Sequence, residues 1–208
     1  MHQPYRVKNY NIFSVGHDHE YWTDPDWNAR ENNQRILEKV AEKSYRPMLS
    51  AIERCLNTYQ GFKISLSITG TFIEQAEAWA PDIIETLKRI VSTGRVEIVA
   101  ETYYHSLAFF YDRNEFEAQV KKHQEKIRDL FGVEMRVFRN TELAYNNDLA
   151  KWAEEYGFKG ILAEGWDKIL EWRSPNFAYT PSGCNDIKLL LKNYRLSDDL
   201  AFRFSDKN

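Results

Sequence analysis

The sequence predicts an α/β fold in which short parallel strands alternate with longer helices. One order of features occurs three times: a helical segment, a glycine that ends it, a short apolar strand and a polar loop, with the glycines at Gly94, Gly132 and Gly157. The composition agrees, because 208 residues that are 43% apolar and 28% charged are typical of one globular domain or at most two. No linker or low-complexity tract interrupts the chain, so we interpret residues 1–208 as a single α/β domain.

The first elements are a long helical segment and a strand. A helix over residues 28–44 precedes Pro47, where we expect a break before the helix continues to Tyr59. Residues 62–68 then alternate apolar and polar side chains, which is the period of a half-buried strand.

A second helix and strand follow directly. Thr71 and Glu74 have the spacing of a capping box, which predicts a helix start. Pro81 is expected to restart this helix and Gly94 to end it. The apolar residues 96–100 predict the next strand.

The remaining elements repeat the same order. Asp112 opens a helix that Gly132 ends, and residues 135–138 are strand-like. Asn147 can cap another helix, which leads to a strand over residues 158–163. Beyond it, the pattern predicts strands over residues 177–179 and 187–191 and a short helix that Ser197 opens.

Strands separated by helices of this length are expected to be parallel and joined by right-handed crossovers. A closed α/β barrel usually needs about 250 residues, which is more than this chain has. We therefore expect an incomplete barrel or an open sheet that lacks pieces at both ends.

Charge and composition exclude several classes of function. The formal net charge of -3 argues against a protein that binds nucleic acid mainly through phosphates. No apolar run approaches the roughly 20 residues of a membrane span, and no signal peptide opens the chain. Cys55 and Cys184 match neither a zinc spacing nor a disulfide framework, so we expect a reducing, cytoplasmic setting.

The loops that follow the predicted strands carry the candidate chemistry. Active sites of parallel α/β folds gather at the carboxyl ends of strands. Three successive loops each contain a carboxylate there: Glu101, Glu142 and Glu164. Aromatic residues accompany them, including Trp166. Carboxylates beside flat rings suit a sugar site, because acids act on the acetal and rings stack on pyranose faces.

Three segments make the resemblance to a known family specific. They are His-Gln-Pro at residues 2–4, Gly-Arg-Val-Glu-Ile-Val at residues 94–99 and Asn-Thr-Glu-Leu at residues 140–143. With these three segments in this order, the chain resembles the α-amylase-like branch of glycoside hydrolase family 57. The resemblance implies an incomplete (β/α)7-type barrel, here truncated at both ends, that acts on α-glucans with retention and needs neither a cofactor nor a metal.

The resemblance also assigns roles to single residues. Glu142 would be the nucleophile that forms a glycosyl-enzyme intermediate. His2 and Gln3 would bind sugar hydroxyls near the cleaved bond, and Glu97 matches a family position near the substrate. Further substrate-binding candidates come from the loops after the strands: Glu101, His105 and Trp166.

Two features depart from the family pattern. The first barrel strand is absent, because only Met1 precedes the His-Gln-Pro motif. The family's general acid is an Asp on a later strand, and no segment of this chain resembles that motif. Asp198 and Asp199 are interpreted as helix-start acids instead. We therefore expect this chain by itself to be weakly active or inactive on glucans.

Two other functions remain open. A metal-dependent polysaccharide deacetylase is one, with His17, Asp18, His19 and Glu20 as the segment richest in metal-ligand types. A carbohydrate-binding remnant without chemistry is the other. The family resemblance favours the glycoside hydrolase, with an α-glucan or maltooligosaccharide as its substrate and neither nucleic acid nor membrane as a partner.

Overall fold

A computed structural model describes residues 1–204 as parts of two compact units. The first unit contains residues 1–98 and 126–133. The second contains residues 99–125 and the described residues from 134 onward. The single domain over residues 1–208 stays a prediction, and each unit is described by itself.

After a 3-10 turn (Ile12–Ser14), the first unit contains a continuous helical segment. Helix α1 (Asn33–Val40) passes through a π-helical turn (Ala41–Tyr45) into helix α2 (Arg46–Thr58). The side chain of Asn32 accepts the N–H of Arg35, so the helix starts later than residue 28. The predicted break at Pro47 is wrong, because this proline lies in the first turn of α2, and the helical segment continues through it.

The first unit also contains strand β1 (Ile64–Ser67), helices α3 (Gly70–Trp79) and α4 (Pro81–Val91), and strand β2 (Val96–Val99), which pairs with β1. The last residue of β2 belongs to the second unit. The predicted cap is wrong by two residues. The hydroxyl of Thr69, rather than that of Thr71, accepts the N–H of Phe72, since Thr69 is the last residue with extended backbone.

Three parallel strands form the sheet of the second unit, in the order β3 (Val137–Arg139), β4 (Gly160–Glu164) and β5 (Lys188–Lys192). Ala100 pairs with Phe138 in parallel as well. The predicted parallel arrangement is therefore confirmed for these strands. A side chain at Gly165, directly after β4, would collide with the backbone carbonyl of Lys192, so only glycine fits there.

Helices of the second unit include α6 (Asn147–Glu155), α7 (Asp167–Leu170) and α8 (Tyr194–Asp198), while α5 (Arg113–Phe131) has residues in both units. The cap of α6 is Asn146 rather than Asn147, and the cap of α8 is Asn193 rather than Ser197. Each of these two asparagines precedes its helix in extended backbone and accepts an N–H of the first turn.

Aromatic side chains fill the core of the second unit. Phe116 and Phe138 are fully buried, and Trp152 lies against both with ring centroids 4.5 and 5.3 Å away. Such edge-to-face packing stabilises a core beyond simple area burial. It packs α5, β3 and α6 against each other within this unit, and the loop that follows β3 begins directly after this packed strand. Within residues 1–204, no helix has both the length and the apolar composition to cross a membrane.

Candidate active site

Glu142 lies in a strained turn just after the carboxyl end of β3. Residues Thr141–Leu143 form a single 3-10 turn, and both Glu142 (φ +55°) and Leu143 (φ +58°) have left-handed backbone conformations. For residues other than glycine, such conformations cost on the order of 1–3 kcal/mol each and concentrate at functional sites. The turn raises the side chain of Glu142 into solvent, where 77% of it is exposed.

Buried polar contacts hold this turn in place. Asn140 is fully buried, and its Nδ2 donates to the carbonyl of Ala144 at 3.1 Å. The hydroxyls of Thr102 and Thr141 lie 3.2 Å apart and join the loop after β2 to the loop after β3. The strained backbone is therefore fixed by neighbours on both sides, as a residue that must hold one geometry requires.

His105 bridges two carboxylates. Its Nδ1 lies 2.9 Å from Oε2 of Glu101, and its Nε2 lies 3.4 Å from Oε1 of Glu142. His105 also has a left-handed backbone (φ +58°), and the carbonyl of Thr102 accepts its N–H at 3.1 Å. One imidazole thus connects an exposed carboxylate to a buried one.

Glu101 is the buried end of this chain of contacts, with 0% of its surface exposed. A buried carboxylate is costly unless cationic or hydrogen-bonding partners surround it. His105 supplies one, and Nη1 of Arg139 lies 3.9 Å from the same oxygen. The backbone N–H of Glu101 donates to Nδ1 of His123, which is fully buried on α5.

The sequence pattern did not identify His123 as a residue of the site. It lies on the apolar face of α5 together with Phe116, Val120 and Ile127, at helical spacing. A single histidine on such a face is usually a core residue, and its contact with the Glu101 backbone is not encoded by helical spacing.

A cavity of about 600 Å³ adjoins the turn, with Leu143 and Trp166 in its lining. Trp166 is 53% exposed, so its ring is available to a ligand. Tyr145 and Glu164 also line the cavity, and burial raises the pKa of Tyr145 to about 12. Its phenol therefore stays protonated, and it donates to Oδ1 of Asn147 at 3.0 Å, which leaves its oxygen to accept from a ligand. Cavities of this size suit small organic ligands.

The other predicted site residues lie in the first unit. Nδ1 of His2 lies 3.1 Å from the hydroxyl of Thr69, at the end of β1. Gln3 is buried, and its side-chain oxygen accepts from the hydroxyl of Tyr45. Glu97, on β2, accepts from the hydroxyl of Ser65 at 2.9 Å. The roles of His2, Gln3 and Glu97 stay predictions.

The residues considered for metal binding or for the role of general acid make other contacts. Asp18 accepts from Nζ of Lys8 at 2.7 Å, and no group of three metal-ligand side chains within residues 1–204 is arranged to hold an ion. Asp198 ends α8 rather than opening it, which corrects the helix-start interpretation. Asp199 pairs with Arg203 at 2.7 Å.

Comparison with known proteins identifies the family. The family model described as Glycosyl hydrolase family 57 matches residues 1–208. A protein of Methanocaldococcus jannaschii named "Putative alpha-amylase" is 43% identical over 211 residues, which cover 100% of this chain and 43% of that protein. The chain thus spans less than half the length of this curated relative.

Solved structures share the fold. The 4-alpha-glucanotransferase from Thermococcus litoralis superposes with a TM-score of 0.69 at 21% identity, over 81% of this chain and 26% of that one. A Mycobacterium smegmatis protein named "putative polysaccharide deacetylase" superposes with a TM-score of 0.56 at 16% identity, over 78% of this chain and 50% of that one. The likeness to the deacetylase extends to the fold alone.

Proposed function

The chain belongs to glycosyl hydrolase family 57, and on this premise we propose that its second unit carries the nucleophile of a retaining enzyme that acts on α-glucans. The observation that carries the proposal is the chain of contacts from Glu101 through His105 to Glu142. It gives one exposed carboxylate, at the carboxyl end of a strand, a fixed orientation.

Glu142 is the nucleophile of this mechanism. Its carboxylate attacks the anomeric carbon of the glucosyl unit, and the bond from that carbon to the leaving oxygen breaks with its electron pair on the oxygen. That oxygen takes a proton from a general acid or, in an aryl glucoside, departs as phenolate, and a glycosyl ester on Glu142 results. Water or the hydroxyl of another glucan then attacks the same carbon and releases Glu142. The choice of water or glucan as acceptor distinguishes a hydrolase from a glucanotransferase.

His105 is a positioning residue. Each of its ring nitrogens faces a carboxylate oxygen, and only the doubly protonated ring can donate to both. The contact through Nε2 orients the carboxylate of Glu142, which is the attacking group. Glu101 is the buried counter-charge that orients the ring. Direct sugar binding by Glu101 is less favoured, because no part of this residue is exposed.

The adjoining cavity is the proposed place for glucosyl units next to the cleaved bond. Trp166 offers a ring face for stacking, and Tyr145 and Glu164 offer a hydroxyl and a carboxylate to sugar hydroxyls. Maltooligosaccharides are therefore the substrates to try. The unpaired cysteines, Cys55 and Cys184, agree with the expectation of a cytoplasmic location.

We assign no general acid to Glu142, because no segment of this chain resembles the family's motif for that residue. Retaining hydrolysis needs a second carboxyl group about 5–5.5 Å from the nucleophile. The side chain of Glu142 contacts one titratable group in the described part of the chain, His105. We expect the 208-residue chain to react with an activated aryl α-glucoside, whose phenolate leaves unaided. Amylose should react about 10²–10⁴-fold more slowly than in an enzyme that has its acid.

The test is covalent labelling of the purified chain by an activated aryl maltooligoside. Intact-mass and peptide mass spectrometry should show one glycosyl adduct on the peptide that contains Glu142. Glu142→Gln should abolish it. Glu155→Gln, an exposed carboxylate on α6, is the matched control and should retain it. Labelling that persists in Glu142→Gln would remove the nucleophile assignment. Maltooligosaccharide binding without any adduct would favour the carbohydrate-binding remnant.

A further inference from the structure

The first unit contains a cavity of about 650 Å³ whose lining is rich in cations. Arg6, Arg30, Arg35 and Lys39 all line it, against one carboxylate, Glu31. We refer to it as the basic cavity. It lies within residues 4–40 and contains none of the residues proposed for glycoside chemistry. Four cations in one cavity are unexpected in a chain whose formal net charge is -3.

These cations are not neutralised by the protein. Among residues 1–204, no ion pair involves the side chain of Arg6, Arg30, Arg35 or Lys39, although Lys8, nearby in sequence, pairs with Asp18. Glu31 does not serve as their partner, and its Oε2 lies 3.4 Å from the amide of Asn9. The cluster therefore carries an excess of positive charge that an anion would relieve.

Arg35 supplies an independent observation. Its Nη2 donates to the carbonyl of Ala29 at 2.9 Å, which fixes the guanidinium at the helix start. Its Nε is buried and has no acceptor in the described part of the chain. Buried donors nearly always have a partner, so this orphan N–H shows that the protein alone does not satisfy the guanidinium of Arg35.

We propose that the basic cavity binds the phosphoryl group of a small sugar phosphate. Arginine forks and a lysine ammonium match the three acceptor oxygens of a phosphoryl dianion. The remaining lining suits the sugar: Glu31 can accept from hydroxyl groups, and Tyr5 can donate to them. Ile36 and Val40 offer apolar surface to the ring. Inorganic phosphate shares the phosphoryl chemistry but lacks the groups that Glu31 and Tyr5 would bind.

Calorimetric titration of the 208-residue chain with glucose 6-phosphate, inorganic phosphate and glucose tests this proposal without any dependence on catalysis. Glucose 6-phosphate should bind about tenfold more tightly than inorganic phosphate, and glucose should give no detectable binding. The variant Arg30→Gln/Lys39→Gln should weaken the binding of glucose 6-phosphate about tenfold or more. Both residues are exposed and their side chains make no hydrogen bond to the described residues, so the fold should persist.

Two further variants sharpen the result. Lys43→Gln/Arg54→Gln removes two exposed cations that do not line the cavity and should leave the affinity within about twofold, since neither side chain would contact the phosphoryl group. Glu31→Gln should reduce the preference for glucose 6-phosphate over inorganic phosphate. Equal weakening in the two double variants would overturn the site, because it would indicate non-specific charge attraction. Equal affinity for both anions, or no binding at millimolar concentration, would overturn the sugar phosphate.

Discussion

In the second unit the carboxylates of Glu101 and Glu142 both have a ring nitrogen of His105 as a partner, whereas the basic cavity of the first unit gathers four cations around one carboxylate. His105 lies between Glu101 and Glu142, and Arg139 approaches Glu101 from another side. The cations of the basic cavity have no such partners in the described residues. Side chains that have partners within the protein hold their geometry before a substrate binds. Cations without such partners gain electrostatic stabilisation only when an anion binds.

The largest expected effect comes from breaking the paired site at its centre. His105→Gln should lower the rate of glycosyl transfer from an aryl maltooligoside to Glu142 about 10²-fold, because the nucleophile loses the donor that orients it. KM should change little, since a positioning residue does not touch the sugar. The measurement is the burst of released phenolate against substrate concentration. A raised KM with an unchanged rate would instead assign His105 to substrate binding.

The same substitution should destabilise the fold. Without His105, the buried carboxylate of Glu101 loses its 2.9 Å contact with the imidazole, so the free energy of unfolding should fall by about 2 kcal/mol. Urea unfolding measures this change. The double variant Glu101→Gln/His105→Gln also removes the buried charge and should recover most of the stability but none of the rate. Recovery of the rate as well would show that His105 acts only through the fold.

A third carboxylate offers a comparison in which the backbone supplies the donors. Glu154, on α6, accepts the backbone N–H groups of Asn185, Asp186 and Ile187, and these bonds hold its pKa below the ordinary value. A lowered folded-state pKa gives stability that is present above the unfolded-state pKa of about 4.3 and is lost as pH falls through the folded-state value.

Glu154→Gln should therefore flatten the loss of thermal stability between about pH 5 and pH 3, and the melting temperature should depend less on pH than in the unchanged chain. Melting followed by circular dichroism at several pH values measures this. Glu155→Gln, its exposed neighbour, is the control. An equal slope in both variants would show that the three backbone contacts do not perturb Glu154.

The sequence pattern predicted which elements exist better than where they begin. Strands and helices follow hydrophobic period, which is a property of many residues together. A helix start depends on one residue in extended backbone whose side chain reaches the first turn. Thr69 and Thr71, or Asn146 and Asn147, offer the same chemistry one or two positions apart, so their backbone conformation decides between them.

The candidate site was predictable in part for a similar reason. The placement of Glu142 follows from the strand before it and the helix after it, and both are local signals. Its contact with His105 joins residues 37 positions apart, and local patterns do not encode such contacts. The burial of Glu101 was equally hidden, because a carboxylate in a loop after a strand ordinarily faces solvent.

The smallest expected effect tests the unpaired side of the comparison. Without any ligand, Arg30→Gln/Lys39→Gln should leave the free energy of unfolding unchanged or raise it by up to about 0.5 kcal/mol, because the substitutions remove mutual repulsion and break no ion pair. Added salt should shrink this difference, since it screens exposed charges that lie about a Debye length apart. Urea unfolding at about 10 mM and 500 mM salt measures both effects.

Lys43→Gln/Arg54→Gln, with the same change in net charge, should lack the salt-dependent gain. A loss of more than about 1 kcal/mol in the cavity variant would mean that these cations already stabilise the fold through partners. The basic cavity would then resemble the paired site around Glu142, and the argument for an external anion would fail.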